Sequence, residues 1–364
     1  VLDSHVDVLC HGASTGDFEV VITGGASPFD YIVQNSSGII DVIFDDLSLT
    51  NTYSGLTAGI YNVSVTDANG TVVDIDITIL QPDAPIDITE TISEFNGFNI
   101  SCFGASDGSI DIIASGGGGP ENDAVYVYEW TLGGIPYTLN ASSTDTSLQD
   151  LGPGTYGVTV TDEEGCSYSE SYLITEPTPL TLTGIVSNNN QYAGFGVSSF
   201  GADDGFIDLT VGGGTSNYSY QWTASNGGEV PAGQEANQNL TGLIAGTYTV
   251  LITDSNGCTI TEDYEVTQPD EFLISEVLDS HVDVLCNGAS TGAFEVNIVS
   301  TVAPYIITLT GPVEENLTTS DTTYLFNDLL SGIYDVEVED ANGCITQLLD
   351  ITILEPDAPI DITE

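Results

Sequence analysis

Apolar and polar residues alternate with a period of two in short runs along the chain, as in Ser109–Ile113 (SIDII) and Phe206–Val211 (FIDLTV). That spacing predicts strands with every second side chain facing a core, and no stretch carries the apolar stripe at three- and four-residue intervals that a helix needs. The most regular pattern, Leu-x-x-Gly-x-Tyr-x-Val-x-Val or its close variant, occurs at Leu56–Val65, Leu151–Val160, Leu243–Ile252 and Leu329–Val338. It predicts a strand that puts Tyr and two aliphatic residues on one face. An Asp-x-x-Gly group follows each time, at Asp67–Gly70, Asp162–Gly165, Asp254–Gly257 and Asp340–Gly343. Gly accepts positive φ and Asp bonds its own backbone, so each group reads as the turn of a hairpin.

The pattern is a repeat. VLDSHVDVLC at Val1–Cys10 returns unchanged at Val277–Cys286, and DAPIDITE at Asp83–Glu90 returns at Asp357–Glu364. Gln81-Pro82, Glu176-Pro177, Gln268-Pro269 and Glu355-Pro356 punctuate four units of roughly 90 residues. The expected division is 1–84, with a truncated first strand, then 85–178, 179–270 and 271–358, and residues 359–364 opening a following repeat. The first and fourth units are near twins, which implies a super-repeat of three, and the chain reads as an internal piece of a longer one. Units of this size, built of short strands with a tyrosine entering a late strand, predict an all-β fold of tandem immunoglobulin-like sandwiches stacked end to end as an elongated rod. In that fold Tyr61, Tyr156, Tyr248 and Tyr334 form tyrosine corners, and Trp130 and Trp222 lie in the core on a central strand.

Charge restricts the partners. Among 364 residues there is no Lys or Arg, against 55 Asp and Glu and three His, a formal charge of −55. On a rod of roughly 110–160 Å this is one charge every ~2–3 Å, approaching the ~1.7 Å of duplex DNA. Such a chain cannot hold nucleic acid or an anionic membrane surface through basic contacts. With 41% hydrophobic residues and a mean hydropathy of +0.11 it can still bury cores, and no apolar run is long enough to span a bilayer. Proteases that require a basic residue find no site in it.

Catalytic patterns are sparse. His5 and His281 are copies of one repeat position, His11 aligns with Asn287, and carboxylate pairs follow from composition. No Cys-x-x-Cys, Gly-x-Ser-x-Gly or lysine-bearing phosphate loop occurs. Asn-x-Ser/Thr matches at Asn62, Asn140, Asn217 and Asn239 also follow from composition. Asp-x-Asn-Gly echoes half of an EF-hand loop without its closing Glu, which makes Asp67, Asp162, Asp254 and Asp340, with the Asp203-Asp204 pair, calcium (Ca2+) candidates.

Several segments together resemble the SprB repeat: Cys102–Gly108 (CFGASDG), Gly24–Pro28 (GGASP), Tyr218–Trp222 (YSYQW), Gly246–Tyr248 (GTY), Asp254–Cys258 (DSNGC) and Gln268-Pro269. The resemblance implies a segment of a very large surface adhesin of Bacteroidetes, exported by the type 9 secretion system and carried on the Gram-negative cell exterior, as in gliding motility. Implied partners are neighbouring repeats of the same chain and surface polysaccharide or the gliding machinery. Polycystic-kidney-disease domains share the Tyr-x-Trp and Gly-x-Tyr elements. Ser199 and Thr71 stand where cysteines are expected, and Ser300-Thr301 where Gly-Gly is. The function expected is a non-catalytic stalk. Its alternatives are a carbohydrate-contacting module using Tyr126–Trp130 and Tyr218–Trp222, or an accessory domain of a secreted enzyme.

Six cysteines in an exported chain predict disulfides. Pairing within repeats gives Cys102 with Cys166 and Cys286 with Cys344, and strands Cys10 and Cys258. In immunoglobulin topology, however, a cysteine before the second strand and one after the last hairpin lie at opposite ends of a sandwich, about 20 Å apart, whereas bridged Cα atoms lie within about 7 Å. Stacking brings the early cysteine of one repeat to the late cysteine of the next. It pairs Cys10 with Cys166 and Cys102 with Cys258, gives Cys286 a partner beyond residue 364, and leaves Cys344 facing Ser199. The stacked pairing is the working expectation and the internal pairing its alternative.

Overall fold

A computed structural model describes residues 5–118, 124–138, 144–187 and 192–357. It divides into two compact units, Val1–Pro177 and Thr178–Glu364, and each is described by itself. Asn140 and residues 359–364 lie outside the described residues.

The first unit opens with β1 (His5–Val6), β2 (Gly16–Val21), β3 (Phe29–Asn35), β4 (Gly38–Asp46), β5 (Thr50–Leu56), β6 (Gly59–Thr66) and β7 (Val72–Ile79). They form two antiparallel sheets, β1-β2-β5 and β4-β3-β6-β7. A second set follows: β8 (Asp87–Ile92), β9 (Gly108–Ser115), β10 (Val127–Leu132), β11 (Ile135–Pro136), β12 (Ser147–Leu151), β13 (Gly154–Thr161) and β14 (Ser167–Ile174). Their sheets are β8-β9-β12 and β11-β10-β13-β14, the same order again.

In the second unit, β15 (Thr181–Val186), β16 (Gly205–Gly212), β17 (Ser219–Ser225), β18 (Leu240–Leu243), β19 (Gly246–Thr253) and β20 (Thr259–Val266) make sheets β15-β16-β18 and β17-β19-β20. The last set is β21 (Leu273–Glu276), β22 (Gly292–Val299), β23 (Tyr305–Thr310), β24 (Glu315–Thr319), β25 (Thr323–Leu329), β26 (Gly332–Glu339) and β27 (Ile345–Ile353). Here the sheets are β21-β22-β25 and β24-β23-β26-β27. Every set places strands one, two and five of the immunoglobulin order opposite strands three, six and seven, which is an immunoglobulin-like sandwich.

Each sandwich has its own apolar core, built from the inward residues of both sheets. The four tyrosines of the regular pattern are buried, and each donates its hydroxyl to a carbonyl four residues upstream. Tyr61 bonds Thr57 (2.7 Å), Tyr156 bonds Gly152 (3.1 Å), Tyr248 bonds Ile244 (2.8 Å) and Tyr334 bonds Leu330 (2.9 Å). A buried phenol must find an acceptor, and this carbonyl supplies it while fixing the entry to the strand. Trp130 and Trp222 are also buried, with indole N–H groups donating to Asp145 O (3.0 Å) and Asn237 O (2.9 Å). Trp130 sits on a strand with neighbours on both sides, whereas β17, which carries Trp222, is at the edge of its described sheet.

Candidate functional site: the turns at the ends of each repeat

Each sandwich ends in two recurrent turns. The early turn precedes the second strand: the N–H groups of Ala13, Ala105, Ala202 and Ala289 donate to the carbonyls of Cys10, Cys102, Ser199 and Cys286, at 3.0, 3.0, 3.1 and 2.9 Å. A glycine within this turn donates to the side chain of the residue before the closing proline of the same repeat. The pairs are Gly12 with Gln81 (2.9 Å), Gly104 with Glu176 (2.6 Å), Gly201 with Gln268 (3.0 Å) and Gly288 with Glu355 (2.7 Å). The Gln/Glu-Pro punctuation therefore acts as a latch, since its side-chain oxygen ties the early turn to the end of the last strand. Sequence reasoning missed this role, although a Gln or Glu at every repeat end, never another residue, was the signal.

The late turn is the Asp-x-x-Gly hairpin. In all four repeats one carboxylate oxygen accepts two N–H groups from within the turn. Asp67 takes those of Asn69 and Thr71, Asp162 of Glu164 and Cys166, Asp254 of Asn256 and Cys258, and Asp340 of Asn342 and Cys344, at 2.8–3.1 Å. In three repeats the other oxygen reaches across to the loop after the second strand, accepting from Ala26 (3.1 Å), Gly118 (3.0 Å) or Thr215 (2.8 Å). A Cβ at Gly117 or Gly214 would lie 2.6 or 2.7 Å from that oxygen, which is why the loop carries glycine there. Repeat 4 has Ser300-Thr301 instead, and Val302 N–H donates to Ser300 Oγ (3.1 Å).

The calcium candidates are thus backbone clamps. Asp162, Asp254 and Asp340 are buried, and N–H donors take up the carboxylate oxygens described above. The Thr71 N–H, helped by those of Ala26 and Asn69, holds the Asp67 carboxyl below its ordinary range against the opposing effect of burial. Burial raises the Asp204 carboxyl, but hydrogen bonds from Ser198 outweigh it and hold the group low; Asp204 accepts Ser198 N–H at 3.0 Å as a brace of the early turn. Asp203 is exposed beside it.

In the first unit the early turn of repeat 1 meets the late turn of repeat 2, where Cys10 and Cys166 form a disulfide with Cα atoms 5.6 Å apart. Cys166 is therefore not paired within its own repeat to Cys102. In the second unit the same two turns meet without a bond: Asn342 Nδ2 donates to Ser198 O (2.8 Å), and Cys344 Sγ lies 3.6 Å from that oxygen. Ser199 stands where repeat 1 has Cys10, so Cys344 remains a thiol, pushed up by burial and then by the Asp340 carboxylate. Cys286 is exposed and reduced, so the alternative Cys286–Cys344 bridge is not formed. Cys102 and Cys258 are both disulfide-bonded.

His281 lies between Glu276 Oε1 (2.7 Å) and Asp283 Oδ1 (3.4 Å), and His5 is 3.5 Å from Asp7 Oδ1. Burial works against the imidazolium of His281, but the Glu276 and Asp283 carboxylates prevail and raise its pKa. The sequence did not show the structural role of a second set of tyrosines: Tyr126, Tyr218 and Tyr305 donate to Gly116, Gly213 and Ser300 carbonyls at 2.6, 2.6 and 2.8 Å, tying the third strand to the loop before it. The aromatic clusters considered as sugar contacts are thus committed to the sandwich through Trp130, Trp222 and these hydroxyls.

The SprB repeat model matches residues 98–134 and 198–227. These two segments are similar to the SprB repeat. Both matched segments run from the early turn, at Cys102 or Ser199, through the second strand to the tryptophan strand. No curated protein matches the chain. Among solved structures, Sidekick-1 immunoglobulin domains 1–5 align over 93% of this chain and 77% of that one, at 10% identity and a TM-score of 0.34. A tetra-tandem repeat from the extending region of a large adhesion protein aligns over 94% and 96%, at 16% identity and a TM-score of 0.30. Three N-terminal domains of the highly immunogenic outer capsid protein of bacteriophage RB49 align over 75% and 99%, at 15% identity and a TM-score of 0.37.

Proposed function

We propose that this chain is a stalk segment of a very large cell-surface adhesin that holds an adhesive tip away from the cell and transmits force along the chain, with no catalytic role. The observation that carries this reading is the turn-to-turn junction, closed by Cys10–Cys166 in the first unit and rebuilt with Ser199 and Cys344 in the second. A disulfide between sandwiches removes hinge freedom at the one place where tandem domains would otherwise bend. The same logic pairs Cys102 with Cys258. Uniform negative charge favours extension further, because neighbouring repeats repel.

The similarity to the SprB repeat supports an extracellular setting, in keeping with persistent disulfides. On that basis we assign the stalk to the outer surface of a gliding Gram-negative bacterium and its export to the type 9 system, with surface polysaccharide or the gliding machinery as contacts of the whole adhesin. Two measurements test the reading. Peptide mapping of unreduced protein should recover Cys10–Cys166 and Cys102–Cys258; recovery of Cys102 joined to Cys166 would overturn it. Small-angle scattering should give a maximum dimension on the order of 110–160 Å for the oxidised chain, and a compact particle would equally sink the stalk.

A further inference from the structure

Three linkers enter repeats 2, 3 and 4, and the third differs from the other two. Immediately before the first apolar side chain of the new repeat stand Pro85 ahead of Ile86, Pro179 ahead of Leu180, and Glu271 ahead of Phe272. In repeats 2 and 3 the linker is tied to the loop after the second strand: Gly117 N–H donates to Ala84 O (3.0 Å) and Gly214 N–H to Thr178 O (2.9 Å). The approach is so close that a Cβ at the preceding glycine, Gly116 or Gly213, would collide with Pro85 O or Pro179 O, and both glycines adopt positive φ.

Repeat 4 has Ser300-Thr301 at these two positions. The alignment is fixed by Tyr305, which bonds Ser300 O as Tyr126 and Tyr218 bond Gly116 O and Gly213 O. Serine brings the Cβ that a docked linker does not accommodate, and among the described residues no backbone hydrogen bond joins residues 269–272 to that loop. The facing turns show the same contrast. Repeats 1 and 2 share the Cys10–Cys166 bond, whereas repeats 3 and 4 meet through contacts to Ser198 O, from Asn342 and from the Cys344 thiol, which break and re-form.

We infer that the junction between repeats 3 and 4 is a joint: repeats 1 and 2 move as one body, while repeat 4 swings on repeat 3 about residues 269–272. Covalent closure, a second proline and a docked linker each remove rotational freedom between domains. The junction of repeats 1 and 2 has all three, and that of repeats 3 and 4 has none. The loosening is confined to the seam, because repeat 3 keeps its latch from Gln268 to Gly201 and both sandwiches keep complete cores. The use of the joint rests on the stalk reading. In a stalk it supplies one point of bending in a stiff segment, so the chain aligns with a pull before any sandwich has to unfold.

Nuclear magnetic relaxation of strand amides in the full, isotope-labelled chain gives each repeat its own rotational correlation time. Repeats 1 and 2 should share one value, and repeat 4 should tumble faster than repeat 3. One common value for repeats 3 and 4 overturns the proposal. Two variants then place the motion. Ser199→Cys should abolish the difference once peptide mapping shows its bond to Cys344; a difference that persists across the formed bond, or a folded variant in which the bond does not form, overturns the proposal. Glu271→Pro combined with Ser300→Gly and Thr301→Gly rebuilds the docked linker without a covalent bond, and should slow repeat 4 towards repeat 3. An unchanged difference in this variant, with a melting temperature at or above that of the wild type, also overturns it. Peptide mapping of Cys10–Cys166 and Cys102–Cys258 in the same samples tests the stalk separately: their absence sinks that reading and leaves the comparison of repeats 3 and 4 intact.

Discussion

At the scale of single residues, one aspartate per repeat organises the late turn. Hydrogen bonds to a charged acceptor contribute about 1.5–3 kcal/mol, and the buried Asp254 receives N–H groups from both its own turn and the facing loop. Asp254→Asn should lower the stability of repeat 3 by about 2 kcal/mol, read from its calorimetric transition. Asp340→Asn should cost less, because Val302 N–H already bonds Ser300. Asp67 adds a pH dependence. Its carboxyl is depressed in the folded state, so its stabilisation is fully present above the unfolded carboxylate pKa of about 3.9 and is lost as pH falls through the folded value. Wild type should thus lose stability below pH ~4 relative to Asp67→Asn, whose side chain does not titrate; parallel curves for the two would refute the clamp.

At the scale of elements, the alternation that marked the strands also marked their inward faces, and the Leu-x-x-Gly-x-Tyr pattern placed the tyrosine corner at four positions. Those signals are local, since strand period and i to i−4 bonding lie within a few residues. The latch from Gln81, Glu176, Gln268 and Glu355 was not legible, because it joins residues about 70 positions apart. The backbone clamp formed by the hairpin aspartate was hidden for a related reason: an Asp-x-Asn-Gly string does not say which N–H groups will take its oxygens. The junctions yield a direct test. Ser199→Cys should form a disulfide with Cys344 in the second unit, seen as a fall from the two free thiols of the wild type, Cys286 and Cys344, to Cys286 alone on the unreduced protein, and raise stability by about 2–4 kcal/mol. The gain should vanish with a reducing agent.

At the scale of the whole molecule, charge sets the conditions. With no Lys or Arg to pair with 55 carboxylates, self-repulsion opposes every compact state, and salt should relieve it. Raising sodium chloride from 10 to 150 mM shortens the screening length from about 30 to about 8 Å, and the melting temperature should rise accordingly. We expect calcium and magnesium to raise it equally at matched concentration, as a diffuse ion atmosphere requires. A calcium-specific increase would point instead to a built site.

The sequence by itself determined the all-β class, the four-fold repeat, the tyrosine corners and the formal charge of −55, because period, spacing and net charge are properties of the string. Tertiary structure alone decided which oxygens clamp which turns and which cysteine meets which neighbour within each unit. Those outcomes depend on the approach of segments tens to hundreds of residues apart, and nothing in their local sequence measures that distance.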